Sequence, residues 1–239
     1  MQQLRQYYKA FQVGLMFLGG LFLATIIFPL LNLFHHRTAE KLSGLLVKNW
    51  HLLLTKALKI RIHRSGHIMP PPGLFVSNHI SWLDIVILGS QGSFNFISKY
   101  EVAEWPVIGF LAKQSGTLFV RRGDHHSTQS TAEEMIWRLR RGRHLVLFPE
   151  GTSSPCNQVL RFHARLFQPA LLANVPIQAV GLAYRNDAKV LAPFVGDDDF
   201  LPHLWRILAL NQIDVELFFC EPAPAGRFDR TGLDRKSVV

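Results

Sequence analysis

His79 and Asp84, in Asn78-His79-Ile80-Ser81-Trp82-Leu83-Asp84, are a base and a carboxylate close enough in the chain to share a proton-transfer task. A carboxylate on one imidazole nitrogen fixes the tautomer and stabilises the imidazolium, leaving the other nitrogen free to take a proton from a hydroxyl. On one continuous helix five residues turn a side chain through about 140°, so the two meet only if His79 precedes the helix. Gly73-Leu74-Phe75-Val76-Ser77 reads as a short buried strand, and Ser81-Trp82-Leu83-Asp84 has the form of an N-terminal capping box. The spacing therefore predicts His79 in a strand-to-helix turn and Asp84 in the first helical turn. The same residues would also serve as a plain helix cap and a turn histidine, so the remainder of the chain has to decide.

Two further strand ends carry polar residues. Gly116-Thr117-Leu118-Phe119-Val120-Arg121-Arg122 ends an apolar run in paired arginines, whose planar forks suit phosphate oxygens. His144-Leu145-Val146-Leu147-Phe148 runs into Pro149-Glu150-Gly151-Thr152, where a carboxylate can accept from a hydroxyl and backbone N–H groups can meet an oxyanion or phosphate. Solvated arginines and a tight turn capped by Glu150 account for each segment taken alone.

The elements that must position these residues alternate along the chain from about residue 59. Strands are expected at Lys59 to His63, Leu74 to Ser77, Asn95 to Ser98, Thr117 to Arg121, His144 to Phe148, Ile177 to Tyr184 and Asp214 to Phe219. Helices are expected at Trp82 to Gly89, Pro106 to Gln114, Ser127 to Arg141, Arg165 to Ala173 and Leu201 to Leu210, with Pro106 as a first helical residue and Gly116 and Gly142 as stops. The alternation predicts an α/β fold, a mixed β-sheet covered by helices. Cys156 and Cys220 have no metal-ligand spacing, so neither a disulfide framework nor a metal site is expected.

Ahead of that domain, Ala10 to Phe34 carries no Asp, Glu, Lys, Arg or His. As a helix it would measure roughly 37 Å against a hydrocarbon core of ~30 Å. Arg5 and Lys9 precede it and Arg37 and Lys41 follow, so charge does not choose an orientation, and Gly14, Gly19, Gly20 and Pro29 favour a bent or re-entrant path. Leu42, Leu46, Leu53 and Ala57 then fall at helical spacing among Lys41, Lys48 and Lys56, as in an interfacial helix or, equally, an amphipathic helix packed on the domain. An N-terminal membrane-embedded helical segment, residues 1–58, is thus expected before a domain of residues 59–239. The formal charge of +9 asks for an anionic partner. Without a recognition-helix, RNP or zinc-finger pattern, membrane lipids and acidic substrates fit it better than nucleic acid.

Taken in order, Asn78-His79-x4-Asp84, Gly116-x2-Phe119-x2-Arg122, Phe148-Pro149-Glu150-Gly151-Thr152 and Val175-Pro176-Ile177 resemble the motifs of the 1-acylglycerol-3-phosphate (lysophosphatidic acid) acyltransferases. The resemblance implies that residues 59–239 are a glycerolipid acyltransferase domain of phospholipid biosynthesis, at the inner (cytoplasmic) membrane with the domain on the cytoplasmic side. His79, oriented by Asp84, would deprotonate the lysophospholipid hydroxyl for attack on a thioester; acyl-CoA or acyl carrier protein would be the donor, and no cofactor is implied. It further implies that Arg122 holds the acceptor phosphate and that Asn78, Gly116, Glu150, Gly151 and Thr152 complete the substrate site. Ser153-Ser154 stands where the family often has Arg, and Phe162-His163-Ala164-Arg165 where a Phe-Lys-Arg/Lys-Gly-like run is usual. The Ser-Ser variant, with Phe194-Val195-Gly196-Asp197-Asp198 and Leu201-Pro202-His203-Leu204, is similar to a branch containing lyso-ornithine lipid acyltransferases. Two rivals are a membrane serine hydrolase, for which no GxSxG elbow is present, and a non-catalytic lipid-binding protein, which leaves the His79/Asp84 spacing unexplained.

Overall fold

Residues 2–121 and 125–227 are described by the computed structural model of the chain. Its short β-branched and aromatic runs form seven strands: β1 Ile60–Ser65, β2 Gly73–Ser77, β3 Phe94–Lys99, β4 Leu118–Val120, β5 His144–Leu147, β6 Ile177–Arg185 and β7 Ile213–Phe219. They lie in one sheet in the order β1-β7-β6-β2-β5-β3-β4. All neighbours pair in parallel except β6 and β7, which are antiparallel, so the sheet is mixed as expected. The helices are α1 Gln2–Phe22, α2 Phe28–Leu31, α3 His36–Ala57, α4 Leu83–Gln91, α5 Ile108–Gln114, α6 His125–Arg140, α7 Gln168–Ala173, α8 Ala188–Leu191 and α9 Phe200–Ala209.

Because successive strand side chains point to opposite faces, Phe75, Val146, Val180 and Leu182 pack on one face with Leu83 and Ile87 of α4 and Ile207 of α9. Leu74, Val76, Leu145 and Leu147 pack on the other with Met135 and Leu139 of α6 and Ala170 of α7. Burial on both faces explains why β2 reads as an uninterrupted apolar run. The chain leaves β2 for α4 on one face and leaves the adjacent β5 for α7 on the other. In open α/β sheets such a divergence opens a crevice beyond the C-terminal strand ends.

Three local expectations are corrected. Pro106 is not a first helical residue: a 3-10 turn at Tyr100–Glu104 comes first, Val107 is left-handed at φ 62°, and α5 begins at Ile108. The helix expected from Arg165 is split into a 3-10 turn, Ala164–Phe167, and α7, with Pro169 in the first turn of the second piece. Arg5 and Lys9 do not flank a span as free cations. The Lys9 ammonium is buried and donates to the carbonyls of Leu58 (3.2 Å) and Leu210 (2.7 Å), which follow the last residues of α3 and α9, while Arg5 donates to Ala209. Cations at helix C-termini are favoured because unpaired carbonyls concentrate partial negative charge there.

One helical path, Gln2–Leu31, is long and apolar enough to cross a membrane, and a π turn at Leu23–Ile27 interrupts it ahead of Pro29. It then doubles back: Trp50 of α3 donates to Met16 of α1 and packs on Phe17, so α1 and α3 run antiparallel. Residues Leu4, Tyr8, Phe11, Leu15, Leu18, Phe22, Ile26, Leu30 and Leu33 form an exposed apolar stripe at three- and four-residue steps. Leu42, Leu45 and Leu53 of α3 are also exposed, whereas Ala57, expected on the same lipid side, is buried.

Candidate active site

His79 lies in the turn after β2 and Asp84 in the first turn of α4, as the spacing predicts. The His79 Nδ1 is 2.9 Å from Asp84 Oδ2. The same oxygen accepts the backbone N–H groups of Ile80 (2.6 Å) and Ser81 (2.9 Å), and Oδ1 accepts the Tyr184 hydroxyl at 2.6 Å. A fully buried carboxylate is costly unless its lone pairs are met, and here four donors meet them. The capping box is only half realised: Asp84 reaches back to the turn N–H groups, but the buried Ser81 Oγ has no partner among the described residues and Trp82 is the N-cap residue.

With Nδ1 donating to Asp84, the His79 Nε2 is left as a bare acceptor, and it has no partner among the described residues. The ring is one-fifth exposed and stacks on Phe148, centroids 4.1 Å apart. The backbone around it is tied down on every side. Glu150 is buried, with Oε1 accepting the His79 N–H and Oε2 the Leu160 N–H, each at 2.8 Å. Asn78 pairs both amide atoms with the backbone of Leu182 on β6, again at 2.8 Å each. The His79 carbonyl accepts from the Ser154 N–H at 2.8 Å. Ser153 Oγ donates to the Phe194 carbonyl, and the Phe194 N–H donates to Ile80 at 2.9 Å. Burial and the nearby Asp84 charge push the Tyr184 phenol well above its ordinary range, which keeps it a donor.

The structure thus gathers Asn78, His79, Asp84, Glu150, Gly151 and Thr152 where the turns after β2 and β5 meet. Asn78 and Glu150 are spent on fixing the turn, and Gly151, left-handed at φ 73°, gives its N–H to Phe148. That removes Gly151 as a backbone donor to an oxyanion and leaves the N–H groups of Thr152 and Ser153 without a partner among the described residues. Gly116 is not brought to the crevice. It precedes β4 at the level of Asn95, which pairs with Leu145 three residues short of Phe148. Its φ of 83° and the Asn95 Nδ2 atom, 2.5 Å from where a Cβ would sit, give it a structural reason to be glycine. Arg122 lies outside the described residues; its neighbour Arg121 rests over the Tyr100 ring at 3.8 Å.

Sequence reasoning missed Tyr184. The one signal was a tyrosine at the end of the apolar run that became β6.

A family model described as Acyltransferase matches residues 59–183, from the start of the sheet domain to the residue before Tyr184. The chain belongs to the acyltransferase family. Among its relatives, it is 42% identical to a lyso-ornithine lipid O-acyltransferase of Pseudomonas aeruginosa over 194 residues, 80% of this chain and 75% of that one. It is 32% identical to a 1-acyl-sn-glycerol-3-phosphate acyltransferase of Neisseria gonorrhoeae over 170 residues, 70% and 67% of the two chains. A crystal structure of the 1-acyl-sn-glycerophosphate acyltransferase of Thermotoga maritima shares the fold, with a TM-score of 0.67 at 20% identity over 98% of this chain and 92% of that one.

Proposed function

We propose that this acyltransferase moves a fatty acyl group from a thioester to the free hydroxyl of a lysolipid, with lyso-ornithine lipid as acceptor. The open Nε2 of His79, backed by Asp84 at 2.9 Å, carries the reading. It takes the hydroxyl proton as the oxygen attacks the thioester carbon. The tetrahedral oxyanion is met by the Thr152 and Ser153 N–H groups, and collapse expels the thiolate, which receives the proton from the imidazolium. Atoms and charge balance without a cofactor, and no acyl-enzyme is required. Asn78 and Glu150 act as positioning residues for the His79 turn. The donor is acyl-CoA or acyl carrier protein, both anionic and suited to a chain of charge +9.

The acceptor reading draws on the relatives of that name and on Ser153-Ser154, whose hydroxyl and N–H groups tie the Glu150 loop to Phe194 and His79. Lysophosphatidic acid is the second reading, favoured by the Arg121-Arg122 pair in the sequence. Residues 1–58 act as the membrane anchor and interfacial helix and residues 59–239 as the catalytic domain, held at the cytoplasmic face of the inner membrane. Purified protein offered both acceptors with both donors should make chiefly ornithine lipid, and His79→Ala should lower the rate by at least ~10²-fold. Phosphatidic acid as the main product would reassign the acceptor and give Arg122 its phosphate. Full activity in His79→Ala would end the mechanism.

A further inference from the structure

We propose that the outer face of α9, joined by Val107 and Phe110, is a second membrane-contacting surface, so that the bilayer covers the flank of the domain beside the His79 crevice. The proposal rests on reading the α1 stripe as lipid-facing. Helix α9, Phe-Leu-Pro-His-Leu-Trp-Arg-Ile-Leu-Ala, holds only two polar side chains. His203 is fully buried, and Arg206 is paired with Asp198 at 2.9 Å. The side turned away from the core presents Leu201, Pro202 and Trp205, with Leu201 72% and Trp205 42% exposed, and the only charge beside them, Arg206, is neutralised in its pair with Asp198. A surface helix normally sets charged residues opposite its core stripe, and one that is apolar on both sides needs a second apolar neighbour.

What that neighbour is follows from continuity. Tyr7, at the edge of the α1 stripe, meets Trp205 edge-on at 5.4 Å, and Gln6 donates to the Trp205 carbonyl. At the far end of α9, Phe200 packs on Trp105 at 5.8 Å, and the exposed Val107 and Phe110 follow within five residues. Leu111 of α5 in turn approaches Gly20 of α1, 3.5 Å from where a Cβ would sit. The elements α1, α9 and α5 therefore border one largely apolar surface, interrupted by the exposed Asp199 ahead of α9, with Trp205, Tyr7 and Tyr8 placed as tryptophan and tyrosine are at a membrane–water interface. A protein partner would have to cover the α1 stripe as well, whereas a bilayer covers both at once.

The depth of α9 also sets the depth of the catalytic turn. His203, on its inner side, accepts from Trp82 Nε1 at 3.0 Å, two residues from Ile80, whose carbonyl accepts the Phe194 N–H. A crevice held at that level meets a single-chain lipid hydroxyl without lifting the lipid out.

The test places an environment-sensitive thiol probe on Leu201→Cys, Phe11→Cys or Gln129→Cys in a Cys156→Ser/Cys220→Ser background that retains acyl transfer. Gln129 is exposed on α6, across the sheet. The full chain is bound to phosphatidylethanolamine–phosphatidylglycerol vesicles with or without chain-brominated lipid. Because the apolar face of an interfacial helix sinks ~5–10 Å into the headgroup boundary, the expected result is roughly twofold quenching at 201 and 11 and none at 129. Quenching at 11 with position 201 resembling 129 overturns the proposal while leaving the anchor reading intact. Quenching at neither removes both, and a probe at 201 that responds to protein concentration instead of lipid assigns the face to a second copy. If the cysteine-free background is inactive, the difference in brominated-lipid quenching between the parent chain and Trp205→Phe decides the same question, with no difference overturning it.

Discussion

Tyr184 marks how closely the charge of Asp84 is managed. Its hydroxyl meets the carboxylate oxygen that faces away from His79, so the aspartate is held by four donors and does not rotate freely. Tyr184→Phe strands Oδ1 in a buried site. The carboxylate is then free to turn away from His79, and kcat is expected to fall. The Cys156 thiol lies near the same carboxylate and is kept protonated by burial. An unchanged kcat in Tyr184→Phe, with only the loss of about 1–3 kcal/mol of stability that an unpaired buried group costs, would make Tyr184 a packing residue and nothing more.

At the level of elements, two residues carry more structural duty than chemistry. Gly116 joins the end of α5 to β4 in a left-handed conformation, with Asn95 closing off the Cβ position. Gly116→Ala is expected to cost about 1–3 kcal/mol in thermal unfolding, with KM for both substrates unchanged. A raised acceptor KM at unchanged stability would return it to the substrate site. Lys9 seals the ends of α3 and α9 with one ammonium. Lys9→Met keeps the length but leaves the Leu58 and Leu210 carbonyls unmet, so limited proteolysis should cut within α1 sooner than in the parent chain. Equal cutting rates would mean that the apolar contacts of α1 hold it without this cap.

Over the whole molecule, buried histidines make stability depend on acid. Burial lowers His51 from 6.5 to about 4 and lowers His144 and His203 as well. Each stays neutral in the fold when the unfolded chain begins to take up a proton, so their contribution is intact above about pH 6.5 and is lost as pH falls below it, for His51 down to about 4. For His51 the shift corresponds to on the order of 3 kcal/mol. Protonation at His203 would also end its acceptance of the Trp82 N–H. The unfolding midpoint in detergent should therefore drop steadily between pH 6.5 and 4, and a flat profile there would show that these rings are hydrated in solution.

The sequence by itself determined what depends on neighbours in the chain. The seven strands were legible because runs such as Gly73 to Ser77 are apolar on both faces. The His79–Asp84 pair was legible because a turn and the first helical turn that follows it are joined by covalent geometry. Tertiary structure alone decided what depends on residues far apart in the chain. Asn78 reads as a substrate ligand until β6 comes alongside β2 and offers the Leu182 backbone 104 residues away. Glu150 reads as open until the turn after β2 brings the His79 N–H to it. Lys9 reads as a flank until two helix ends converge on it. Tyr184 acquires its partner only through the register of a strand pair, and such pairing leaves no mark on the local residue pattern because its energy comes from groups that meet only after the chain has folded.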